Sequence, residues 1–89
     1  MTRIRWTRRA VTDLDGFSER ARARIIHSVD LLAEFPQLGS VMDGPYRLYR
    51  QLLIDRYRVI YRIVDREIMI AYIRHGARQL TLRLVRDDD

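Results

Sequence analysis

The sequence predicts an α+β domain of order β-α-α-β-β-β, in which one antiparallel sheet carries a helical hairpin packed on one face. Three observations predict it. Between Tyr57 and Ile73, two runs rich in β-branched and aromatic residues flank a polar Asp65-Arg66 pair, with no proline between them, as in a β-hairpin. From Ala10 to Phe35, apolar residues recur at helical spacing, and Gly16-Phe17-Ser18 breaks the run into two helices. Two antiparallel helices joined by a short turn must bury their apolar stripes against something, and the sheet is the only large surface left.

The elements follow in order. Arg3-Ile4-Arg5-Trp6 alternates as a short strand with Ile4 and Trp6 facing inward, and Thr7 has the chemistry of a helix N-cap. Ala10, Val11, Leu14 and Phe17 form the stripe of the first helix; Ala21, Ile25, Val29, Leu32 and Phe35 form that of the second, which Pro36 ends. Leu38 to Pro45, with Gly39, Gly44 and Pro45, reads as a loop, and a strand follows over roughly 47–54. A two-residue connection at Asp55-Arg56 sets Leu52 opposite Val59 and Leu48 opposite Ile63. Arg50 then falls on the core side, so it sits at an open edge or a bulge shifts the register there. Gln79 to Val85 is compatible with either a strand or a helical turn, and Asp87-Asp88-Asp89 reads as a solvated end.

If Asp65 and Arg66 are the loop residues of the final hairpin, Val64 faces Glu67, Ile63 faces Ile68, Tyr61 faces Ile70 and Val59 faces Tyr72. The last three pairs make an apolar core face. The other face then carries Arg58, Ile60, Arg62, Met69, Ala71, Ile73 and His75, because side chains alternate along a strand. Tyr49, Gln51 and Leu53 join Arg58 from the preceding strand.

Length and composition narrow the function. With 89 residues the chain is expected to be one domain with one core, spanning 1–89. No stretch approaches the roughly 20 apolar residues that span a bilayer, and no signal-like apolar region follows the charged start, so a cytoplasmic location with no membrane partner is expected. The absence of cysteine rules out disulfides and thiolate metal sites. All 17 basic residues are arginine, and the formal charge is +5. A GC-rich genome accounts equally well for the missing lysine, but not for the net charge. That charge points to an anionic partner, since the planar guanidinium forks onto phosphates and carboxylates.

The exposed sheet face is the candidate site. It gathers Arg47, Tyr49, Gln51, Arg58, Arg62 and His75, with Arg74 and Arg78 at its rim. Arginines interleaved with a tyrosine and a histidine suit a phosphate backbone and a stacked base. His75 has the chemistry of a general acid or base, and Arg58 and Arg78 that of charge stabilisers on a transferring phosphate. The plainer readings are a hydrogen-bonded structural histidine and solvated or ion-paired arginines. A phosphate-binding glycine loop, a paired-histidine metal motif, a nucleophile elbow and a close carboxylate pair are all missing, which argues against a metalloenzyme or serine hydrolase and gives no reason to expect a cofactor.

The chain resembles the RelE/ParE superfamily of toxins from bacterial type II toxin-antitoxin modules. The resemblance covers nearly the whole length: the strand ending in Trp6, the Asp13-Leu14 pair, Phe35-Pro36-Gln37-Leu38-Gly39, Tyr57-Arg58-Val59-Ile60-Tyr61-Arg62, and Ile73-Arg74-His75-Gly76-Ala77-Arg78. It implies a growth-arresting toxin, neutralised by an acidic antitoxin encoded alongside. It also implies one of two targets: DNA gyrase for ParE-like members, or mRNA in the ribosomal A site for RelE-like endonucleases. Arg58 and Arg78 resemble the arginines that the nucleases place around the scissile phosphate, and His75 would stand in as acid or base. Tyr49 and Gln51 fall where those nucleases carry basic residues, and Leu84 near a frequent catalytic tyrosine; both are departures. Phe35 to Gly39 and His75 to Arg78 look more ParE-like, so the expectation leans to gyrase, with Arg47, Tyr49, Arg62 and Arg74 as target-binding residues. A noncatalytic RNA- or protein-binding module is the third reading.

Overall fold

A computed structural model describes residues 2–76. Strand β1 (Arg3–Trp6) leads to helices α1 (Arg8–Asp15) and α2 (Glu19–Asp30), a 3-10 turn (Leu31–Ala33), β2 (Ser40–Val41), a second 3-10 turn (Gly44–Tyr46), then β3 (Arg50–Ile54), β4 (Tyr57–Val64) and β5 (Glu67–His75). The sheet order is β1-β5-β4-β3-β2. The α+β architecture is as expected, with one refinement: β1 lies parallel to β5, Ile4 beside Ile68 and Trp6 beside Ile70, while the remaining pairs are antiparallel. The helical connection permits this, because it carries the chain from β1 across the sheet before the antiparallel strands begin. None of the described helices is long and apolar enough to cross a membrane.

Both helices start where hydroxyl caps allow. Thr7 Oγ1 accepts the Ala10 N–H at 3.1 Å, and Ser18 Oγ accepts the Ala21 N–H at 3.1 Å. Gly16 closes α1, so the break at 16–18 falls as predicted. Ala10 and Leu14 of α1, Ile25 and Val29 of α2, and Leu32 pack on Ile54, Val59, Tyr61, Ile68, Ile70 and Ile73. Ile4, Trp6 and Leu52 flank this core.

Two expectations for the first half fail. The second helix ends at Asp30 and tightens into the 3-10 turn, which leaves Phe35 exposed rather than on the buried stripe. Arg47 and Leu48 also lie outside a strand: the 3-10 turn at 44–46 runs to Arg47, Tyr49 N–H donates to Tyr46 O, and pairing begins only at Arg50. Leu48 is therefore exposed and does not face Ile63. The stretch read as a loop contains the two-residue β2, which pairs Ser40 with Gln51 and Val41 with Arg50.

Arg50 keeps its core-side position opposite Tyr61, near the sheet edge. Its Nη1 donates to Gly39 O at 2.7 Å. Beside it, Tyr61 Oη accepts the Gly39 N–H at 2.9 Å and donates to Pro36 O at 2.8 Å. A Cβ at position 39 would lie 2.7 Å from Gln51 O and 2.8 Å from the Tyr61 ring, so only glycine fits there.

Candidate functional site

Near its loop the final hairpin follows the predicted register, with Val64 opposite Glu67, Ile63 opposite Ile68 and Tyr61 opposite Ile70. Asp65 and Arg66 both adopt positive φ, 50° and 67°, as a two-residue hairpin turn with matching twist requires. Beyond Tyr61 the register shifts by one. Ile60 faces Tyr72, Val59 faces Ile73, Arg58 faces Arg74 and Tyr57 faces His75, leaving Ala71 without a partner as a bulge.

This bulge redraws both faces. Ile73 turns into the main core, where it is 3% exposed, and Tyr72 turns to the opposite side. His75 is likewise moved off the Arg58 face: it stacks on Tyr57 at 4.7 Å between ring centroids, with Phe17 at 6.2 Å. The expectation that His75 and Arg58 look out on the same side is therefore wrong. The plain alternation rule failed because it assumed an unbroken ladder.

The face opposite the helices is an arginine surface built on a small apolar floor. Ile60 and Tyr72 are buried there, with Met42, Tyr49 and Ala71 packed against them. Arg58 Nη1 donates to Gln51 Oε1 at 2.6 Å. Arg74 sits directly across from Arg58, with its guanidinium 5.3 Å from the Tyr72 ring centroid. Arg9 reaches the same ring at 4.7 Å, and the Arg62 guanidinium lies 5.3 Å from the Tyr49 ring. Aromatic faces attract these cations and hold their planes in place.

Arg58, Arg62, Tyr49 and Gln51 are thus brought together as expected, and the bulge carries Arg74, expected at the rim, onto the face opposite Arg58. Arg47 remains exposed at the end of its 3-10 turn, outside the strands. Arg78 and Leu84 lie outside the described residues. Sequence reasoning missed Arg9 and Tyr72, and it missed Arg3 and Arg5, which alternate with the inward Ile4 and Trp6 beside β5. The alternation of β1 contained that signal; its neighbour in the sheet was unknown.

Arg58 and Arg74 face each other across the strands, so two positive charges share one point of this face. Glu67 shares this face but belongs to the other end of the hairpin, on the order of 20 Å away at the usual rise per residue. There it meets Arg3 and Arg5 at 3.5 and 3.6 Å. Among the described residues, no group of three His, Cys, Asp or Glu side chains could hold a metal ion. Chemically, the surface can bind anions and stack planar groups.

The fold is similar to that of a chain in the toxin-antitoxin complex RelBE2 of Mycobacterium tuberculosis, with TM-score 0.78 and 23% identity over 83% of this chain and 96% of that one. It is similar to the isolated RelE toxin of E. coli, with TM-score 0.74 and 12% identity over 100% of both chains. The chromosomal ParDE system of P. aeruginosa gives TM-score 0.73 and 22% identity over 85% of this chain and 97% of that one. No curated protein sequence matches significantly. At these identities the structural likenesses establish the fold alone. A family model described as the ParE toxin of the type II toxin-antitoxin system, parDE, matches residues 4–80, most of the chain. This chain therefore belongs to the ParE toxin family of type II toxin-antitoxin systems, within the RelE/ParE superfamily.

Proposed function

We propose that this toxin arrests growth in the cytoplasm by ParE-like inhibition of DNA gyrase, as a binding protein rather than a nuclease, and that an acidic antitoxin neutralises it. The ParE family match over residues 4–80 carries the reading. The site supports it through its chemistry. Phosphodiester cleavage requires a group that moves protons beside the charge-stabilising arginines. His75, the proposed stand-in, stacks on Tyr57 on the helix side of the sheet. The Glu67 carboxylate is engaged with Arg3 and Arg5 at the distal end.

Arg62, Arg74 and Tyr49 would contact the target through the arginine face, and Arg47 would contact it from the adjoining turn. The same basic surface suits an acidic antitoxin; the RelBE2 and E. coli RelBE neighbours are themselves toxin-antitoxin complexes. One observation favours the nuclease as a second reading: Arg58 is held by Gln51 and faces Arg74, a pairing that could embrace a phosphate.

Two assays separate the readings. Purified toxin should inhibit gyrase supercoiling, and toe-printing of translating ribosomes should reveal no A-site cuts. Codon-dependent cuts that disappear in Arg58→Ala or His75→Ala would establish the nuclease instead. A negative result in both assays, with normal growth on expression of soluble protein, would leave a noncatalytic binding module.

A further inference from the structure

The bulge at Ala71 decides which side chains share the arginine face, and three backbone groups at it, Ile70 O, Ala71 O and the Ile73 N–H, are bonded by two residues of the α1 segment. In an unbroken ladder, Tyr61 opposite Ile70 would be followed by Ile60 opposite Ala71, Val59 opposite Tyr72, Arg58 opposite Ile73 and Tyr57 opposite Arg74. That register would drive Arg74 toward the core and turn Ile73 and His75 onto the arginine side. The observed register does the reverse.

Thr7 and Asp13 supply what the bulge lacks. The Thr7 N–H donates to Ile70 O at 3.2 Å, and its hydroxyl proton is shared between Ile70 O at 2.9 Å and Ala71 O at 2.8 Å. The same hydroxyl oxygen caps α1 through the Ala10 N–H. Asp13 Oδ2 accepts the Ile73 N–H at 2.9 Å, a charge-assisted bond to the donor just past the bulge. Asp13 and Thr7 are held six residues apart by α1 and its cap, so they present a fixed template against β5.

We infer that Asp13 and Thr7 are positioning residues that set the register of β5 and thereby place Tyr72 and Arg74 beside Arg58, without themselves belonging to the arginine face. Asp13 acts through the Ile73 amide, and Thr7 through the Ile70 and Ala71 carbonyls. The register role stands on geometry alone; its importance for toxicity rests on the function proposed above.

Cysteine trapping reads the register directly, because the natural chain has no cysteine. Directly opposed residues can form a disulfide, whereas residues on opposite faces cannot. Tyr57→Cys with His75→Cys should therefore cross-link in the full chain, and Tyr57→Cys with Arg74→Cys should not. Adding Asp13→Ala should shift the ratio of the two cross-links at least tenfold toward the second pair. Hydrogen exchange at the Ile73 amide should accelerate at least tenfold, with Leu52 in β3 little changed. Asp13→Asn keeps a neutral acceptor and should restore most of both readouts; Thr7→Val should shift them as Asp13→Ala does. If Asp13→Ala fails to fold, Thr7→Val and Asp13→Asn carry the test. An unchanged cross-link ratio together with unchanged Ile73 exchange in the folded variants would overturn the inference. A shifted register with loss of growth arrest, restored by Asp13→Asn, would support both the register role and the use of this face. A shifted register with undiminished arrest would confirm the register role and refute the face as the toxin's contact surface.

Discussion

Removing the Tyr61 hydroxyl tests how the loop from Pro36 to Gly39 is fixed to the sheet. In Tyr61→Phe the ring still fills its place among Ile25, Val29, Ile68 and Ile70, so little cavity forms. What disappears is one oxygen that serves two backbone groups, accepting from Gly39 at 2.9 Å and donating to Pro36 at 2.8 Å. Gly39 is buried, so its N–H has no ready access to water. Leaving a buried polar group unsatisfied costs about 1–3 kcal/mol. With the Gly39 donor stranded and the half-buried Pro36 carbonyl partly rehydrated, the loss should be about 2–4 kcal/mol, a large fraction of a small domain's stability. Urea titration should show a lower midpoint with an unchanged slope. The pH dependence provides an internal control. Burial pushes the Tyr61 phenol above its ordinary value of 10.0, against the smaller opposing pull of the Gly39 N–H and the Arg50 charge. The folded state thus keeps its proton where the unfolded chain loses it. The contribution is complete below about pH 10 and is lost as pH climbs through the raised value. Wild type should destabilise more steeply above pH 10 than Tyr61→Phe. A loss under about 1 kcal/mol, or identical alkaline profiles, would refute the dual role of the hydroxyl.

Four further outcomes are expected. Ile70→Ala, which empties a fully buried site under the helices, should cost about 2–5 kcal/mol by chemical denaturation. Arg58→Ala should cost less than about 1 kcal/mol, since the half-buried Arg58 lies on the face away from the helices and outside the main core; equal losses for the two variants would invert the face assignment. Arg66→Gly should stabilise the hairpin by roughly 0.5–1 kcal/mol, because Arg66 holds φ 67° in a turn that favours Asp-Gly, and a lower thermal midpoint would contradict this. Association of the toxin with its antitoxin should slow as salt rises, since the +5 chain would be steered by charge; stopped-flow rates that are flat with ionic strength would count against an acidic partner.

Much of the sheet was legible in the sequence because its local rules are strict. A two-residue turn and period-two alternation place Val64, Ile63 and Tyr61 against Glu67, Ile68 and Ile70, the cap chemistry of Thr7 marks the first helix start, and Gly16-Phe17-Ser18 marks the break before the second. The bulge was hidden because its cause is not local: Asp13 holds the Ile73 amide across 60 positions of sequence. The spacing of Ile70 and Ile73 was a faint signal, since two core residues three apart in a strand share a face only across a bulge. Phe35 matched a helical stripe, yet the helix had tightened at Leu31 and turned away before reaching it. Gly39 reads simply as a loop residue until Tyr61 is seen crossing above it. For the candidate site, residue types were visible and their company was not: Arg58, Arg62 and Tyr49 gathered as expected, while His75 and Tyr72 exchanged sides.

That exchange gives the arginine face its character. With Tyr72 turned outward and buried against Ile60, the face has an aromatic floor of its own, and Arg9 and Arg74 lie against that ring rather than extending freely into water. Gln51 fixes Arg58 in the same way. Side chains already ordered in the free protein lose little entropy when a partner arrives, which favours affinity for rigid anionic surfaces.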